Sequence, residues 1–159
     1  MNILRNRLKD QRGFNLIELM IVIAIIGLLI GVGSVAWSSM IKSGNETTAA
    51  QTLEKIRTFQ AQYAAKNRGK FANFDELIRT MGLDERYAGE RPVSNGYIFI
   101  MTVEEPSGTK PPSYKLSAEP QVPGSGVTAT GSRYFYVDSG VSTIKFSEEG
   151  PATAESPSI

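Results

Sequence analysis

A single carboxylate, Glu18, stands at the leading edge of a run that carries no charge from Leu19 to Trp37, and this pairing constrains the chain more than any other feature. Built as an α-helix, that run rises roughly 28 Å at ~1.5 Å per residue, close to a bilayer core of about 30 Å. A carboxylate held deep in lipid costs about 2.5–3.5 kcal/mol. Glu18 therefore needs a partner.

The flanks orient the run. Residues 1–13 hold Arg5, Arg7, Lys9 and Arg12 against Asp10, a net charge of +3, while the remainder carries 13 basic and 15 acidic residues, a net of −2. A basic block directly before an apolar span stays on the cytoplasmic side, so the rest of the chain is expected outside. The near-neutral remainder does not indicate nucleic-acid binding. With 159 residues there is room for one ordinary domain beside the apolar segment. Cys and His are both absent. That excludes disulfides, thiol nucleophiles, imidazole bases and the usual zinc ligands, so the chain is read as a non-enzyme without a cofactor.

Three readings compete for the first 40 residues. A secretory signal peptide has a shorter apolar core followed by a small-residue cleavage site. A plain signal anchor fits the length and leaves Glu18 unexplained. A cut ahead of the apolar run, at Gly13–Phe14, would remove the basic leader and leave the anchor attached. Gly13-Phe14, Glu18 and the long apolar helix behind a basic leader resemble the prepilin processing motif of type IV pilins and type II secretion pseudopilins.

The resemblance implies that a membrane prepilin peptidase cuts between Gly13 and Phe14 and that the same enzyme N-methylates Phe14. It further implies that Glu18 faces the amino terminus of a neighbouring subunit in a helical filament. Unit charges ~4 Å apart gain roughly 4 kcal/mol at an effective dielectric of about 20, which approximately offsets the burial cost. Glu18 then acts as a registration device more than as a source of net stability. The implied partners are copies of the chain or homologous pilins, the peptidase/methyltransferase and an inner-membrane assembly platform. The implied location is the inner membrane, N-terminus cytoplasmic, then an extracellular pilus or a periplasmic pseudopilus.

Two departures from the family pattern stand out. Asn15 occupies a position where Ser or Thr is commoner, a small polar exchange that processing should tolerate. No Pro interrupts the apolar helix, where many major pilins have one about twenty residues into the mature chain. Gly27, Gly31 and Gly33 offer either local softness or close helix–helix packing. Major pilin, minor pilin and pseudopilin all stay open. So do the roles in motility, adhesion, DNA uptake and secretion, and a membrane-anchored module that never polymerises.

Downstream, Ser43-Gly44-Asn45 marks a weak break. Ala49, Leu53, Ile56, Phe59 and Tyr63 then recur at spacings of three and four, one apolar stripe on a helix over 46–68. In the family this continues the same long helix. Gly69 is placed to end it, and Asn73 or Asp75 caps a short helix reaching Met81, stopped by Gly82. Residues 84–96 read as loop. Strands are predicted at 97–103, 114–118, 134–137 and 143–146, with a turn at Asp138-Ser139-Gly140. The Pro/Gly-rich segments 105–112 and 119–131 connect them.

The expected class is α+β, a long N-terminal helix with a membrane-embedded first half packed on a small antiparallel sheet. The divisions are a leader at 1–13, a transmembrane and filament-core helix at 14–40, an exported head at 41–146 and a flexible tail at 147–159. Asp138, Ser139, Glu148 and Glu149 are the nearest candidates for a calcium loop, and a solvated turn and tail explain them better. Asp75, Glu76, Asp84 and Glu85 read as surface carboxylates more than as an acid–base pair. Phe14, Trp37, Phe59 and Tyr63 read as packing residues.

Overall fold

The computed structural model describes residues 13–159. Helix α1 (Leu16–Lys66) is followed by α2 (Phe74–Met81), a 3-10 turn (Glu85–Tyr87) and strands β1 (Val93–Ser94), β2 (Tyr97–Glu104), β3 (Ser113–Pro120), β4 (Tyr134–Asp138) and β5 (Lys145–Ser147). The strands form one antiparallel sheet in sequence order. The class is α+β in a pilin-like arrangement. By contacts the chain divides into two units at Val35/Ala36.

The first unit is the apolar helix start. Every described residue from Gly13 to Val35 is exposed, including Ile23 at 60% and Leu28 at 69%. The helix is long and apolar enough to cross a membrane.

The second unit has a conventional core. Alternation along β2, β3 and β4 turns Tyr97, Phe99, Tyr114, Leu116, Ala118, Phe135 and Val137 inward, where they meet Ala49, Leu53 and Ile56 of α1 and Phe74 and Leu77 of α2. Phe59 and Tyr63 pack at the margin, so the predicted stripe is the buried face. The caps are those read from the sequence. Asn73 accepts the Glu76 amide at 2.9 Å, and Gly82 adopts the left-handed conformation after α2. Gly69, at φ +81, donates its N–H to the Ala64 carbonyl just past the end of α1.

Gln60 breaks the stripe. It is fully buried, its amide pairing with both backbone groups of Ala72: Nε2 donates to the carbonyl at 2.5 Å and Oε1 accepts from the N–H at 3.0 Å. That clamp satisfies a buried peptide without secondary structure.

Four expectations change. The weak break at Ser43-Gly44-Asn45 is absent, and α1 runs through it. Asn45 spends its side chain on the Thr130 carbonyl at 2.9 Å instead of competing with its own backbone, while Thr47 and Thr48 back-bond to the Ser43 and Gly44 carbonyls. The loop expected over 84–96 contains the 3-10 turn and β1, a two-residue strand too short to show alternation. The last strand begins at Lys145, two residues later than predicted. Finally, the tail expected to be flexible is paired along β5. Phe146 N–H donates to the Pro157 carbonyl at 2.9 Å, Ile159 N–H to the Ile144 carbonyl at 3.1 Å, and Ala152 is buried. These bonds cover an edge that would otherwise be open to pairing.

Buried phenols give the second unit an alkaline limit. Burial pushes Tyr114 up to about 12. Tyr97 rises through burial and then the Glu46 charge, and Tyr136 through burial and its hydrogen bond to Asp138. An unfolded tyrosine ionises near ~10, so the stabilising contribution is complete below that pH. It is lost as pH rises through the folded values. Melting temperature should hold up to about pH 10 and then fall. Tyrosinate absorbance recorded with the melts would show these phenols ionising only as the unit unfolds; titration of all six tyrosines near 10 in the folded state would contradict it.

Candidate functional site

The segment singled out by the sequence begins where α1 begins. Gly13, Phe14 and Asn15 lie outside the helix and Leu16 is its first residue. Asn15 is the reason the helix starts there. Its Oδ1 accepts from the Ile17 N–H at 3.3 Å, and its carbonyl accepts from Glu18 and Leu19 at 3.0 and 3.2 Å. Asn is among the strongest N-caps, so the departure from Ser or Thr preserves the capping chemistry. Sequence reasoning saw a tolerated substitution and missed the cap; its signal was a short polar residue directly before the apolar run.

Three consequences follow for the predicted site residues. The Gly13–Phe14 peptide is non-helical and exposed, and an added Cβ at Gly13 would meet nothing within 4 Å. Phe14 is 88% exposed. Glu18 is exposed in the first helical turn, three residues after the cap, where the helix macrodipole favours a negative charge and where a capping box places its acid. The leader cations Arg5, Arg7, Lys9 and Arg12 lie outside the described residues.

Gly27, Gly31 and Gly33 are all helical, with no heavy atom near a notional Cβ. In the stretch where many pilins carry Pro, the Ser34 hydroxyl donates to the Gly31 carbonyl at 3.0 Å, a local bond that loosens the regular ladder.

The other candidates have structural duties. Asp138 lines a cleft of about 590 Å³ with Lys115, Tyr136 and Glu155. Its oxygens are already engaged: Oδ1 accepts from the Gly140 and Val141 amides at 2.7 and 2.8 Å, and Oδ2 from the Tyr136 hydroxyl at 2.8 Å. Glu148 pairs with Arg133 at 3.2 Å. Among the described residues no group of three or more acidic side chains is gathered to hold a metal ion. Asp84 caps the 3-10 turn through the Arg86 amide, and that bond together with the Arg86 guanidinium holds its carboxyl below the ordinary range. Asp75 accepts from the Gly89 amide at 3.3 Å. Trp37 is 67% exposed on α1, away from the packed margin that holds Phe59 and Tyr63.

No solved structure matches the chain. A protein family described as the prokaryotic N-terminal methylation motif matches residues 8–34, a span that contains the cap, Glu18 and most of the exposed apolar helix. With its capped helix start and unburied apolar run, the chain thus carries the signature of the type IV pilin and pseudopilin family.

Proposed function

We propose that the chain is a prepilin, a structural subunit that is cut between Gly13 and Phe14, N-methylated on Phe14 and polymerised through its apolar helix into a type IV pilus-like filament. One observation carries this reading. The methylation motif coincides with a helix start whose apolar residues are uniformly exposed over residues 16–35. A surface of that kind needs a bilayer or neighbouring helices to cover it. Before assembly the cover is the inner membrane, with residues 1–13 cytoplasmic; afterwards it is the same helix of adjacent subunits. Glu18 meets the methylated amine of a neighbour, which remains cationic and so keeps the pair. The peptidase/methyltransferase and an inner-membrane assembly platform are the partners this requires.

The lack of Pro in the apolar helix favours keeping a periplasmic pseudopilus subunit as a second reading. Both share the processing step, which Gly13→Leu tests. A branched side chain beside the scissile bond should abolish cleavage, so the chain stays at its precursor mass in the membrane fraction and yields no filament. Unchanged processing of Gly13→Leu would remove the Gly13–Phe14 assignment.

A further inference from the structure

The connection between β3 and β4 carries no charge from Gln121 to Ser132, yet it is fastened to α1 by side-chain hydrogen bonds. Three residues of α1 on adjacent turns hold it. The Ser132 N–H donates to Glu46 Oε1 at 2.8 Å, Asn45 Nδ2 donates to the Thr130 carbonyl at 2.9 Å, and Lys42 Nζ donates to the Ser125 carbonyl at 2.8 Å. Its own ladder closes it further: Thr130 N–H donates to Val122 O at 2.8 Å, and Gly124 N–H to Gly131 O at 3.1 Å.

The order of these ties gives the loop a direction. From Ser132 back to Ser125 it steps down α1 from Glu46 to Lys42, so its tip at 125–128 follows the tie to Lys42, the lowest of the three on α1. Val127, at that tip, is 63% exposed, and Val122 is 44% exposed. On α1 just before Lys42, Trp37, Met40 and Ile41 are exposed as well. A single exposed Val is ordinary. Exposed valines on an uncharged loop tied to Lys42 share the second unit's end of α1 with the exposed Trp37, Met40 and Ile41.

We propose that the tip of the 121–132 loop, with Val127 foremost, is a second contact with the lipid bilayer, seated at the headgroup level beside the helix while the subunit is unassembled. This rests on the reading of α1 as the membrane anchor. Unpaired loop backbone is excluded from the hydrocarbon, so the contact is interfacial, as for other shallow apolar anchors. Lys42 is only 9% exposed and its ammonium is turned to Ser125, so the contact is apolar in character and does not depend on anionic lipid.

The chain has no cysteine, which allows single nitroxide labels on the full-length protein in liposomes of phosphatidylethanolamine and phosphatidylglycerol. Three variants suffice: Val127→Cys, Leu28→Cys in the apolar run and Ser107→Cys in the exposed β2–β3 loop. The expected result is a severalfold higher ratio of oxygen to nickel-chelate relaxation at 127 than at 107, below that at 28, and unchanged in phosphatidylcholine. Aqueous accessibility at 127 with a deep reading at 28 overturns the loop contact and leaves the anchor intact. Spin–spin broadening at 127 without lipid accessibility overturns it in favour of a second copy. An aqueous reading at 28 overturns both.

Discussion

Glu18→Ala should leave the second unit folded and remove the chain from filaments. Glu18 is exposed in the first unit, so melting of the second unit is expected to be unchanged. Assembly is different: in the proposed filament the substitution would leave the cationic amine of the neighbouring subunit buried without its counter-charge. Breaking a buried pair on one side costs about 3–5 kcal/mol, roughly two to four orders of magnitude in an association constant. Glu18→Gln keeps the shape and loses the charge, so it should behave like the alanine. Filament yield against total membrane-fraction protein is the measurement. Wild-type yield from both variants would mean that the register is set by other residues, and no filaments from the unsubstituted chain either would favour an anchored module that does not polymerise.

Gln60→Leu is expected to have the largest effect on the stability of the second unit. The change puts an apolar side chain of similar size in a fully buried position and strips both hydrogen bonds from the Ala72 backbone. Each buried backbone group left unpaired costs about 1–3 kcal/mol. A loss of about 3 kcal/mol lowers the melting temperature by roughly 10 °C for a unit of this size. Thermal melts of the detergent-solubilised chain by near-ultraviolet circular dichroism would show it. A drop of under about 2 °C would mean that the Ala72 groups find other partners.

What was legible in the sequence followed from periodicity and local chemistry. The stripe Ala49, Leu53, Ile56 marks a helix face whatever it packs on, and Asn73 and Gly82 bracket α2 because capping depends on neighbours a few residues away. Aromatic and aliphatic density located the strand at 97–103, alternation the one at 114–118, and the turn at Asp138-Ser139-Gly140 the one before it at 134–137. What was missed depends on pairing across long separations. Lys42, Asn45 and Glu46 look like solvated polar residues until a loop more than 80 residues later supplies the carbonyls and amide they bind. Gln60 looks like an interruption until Ala72 folds back onto it. The tail carries little apolar mass, and the edge of β5 holds it through backbone bonds that composition does not register. Asn15 was legible as a cap, since it precedes the apolar run directly, but comparison with the commoner Ser or Thr drew attention to the difference instead of the shared capping oxygen.

The central claim, that the chain is a processed filament subunit, is tested most directly by mass spectrometry of the N-terminal peptide from sheared surface fibres and from the membrane fraction. The account predicts a mature peptide that begins at Phe14 and bears an N-methyl group. Its abundance in sheared material identifies a surface pilus subunit, and its confinement to the envelope a pseudopilin or minor pilin. Intact residues 1–13 in both fractions would contradict the account and leave a plain membrane anchor.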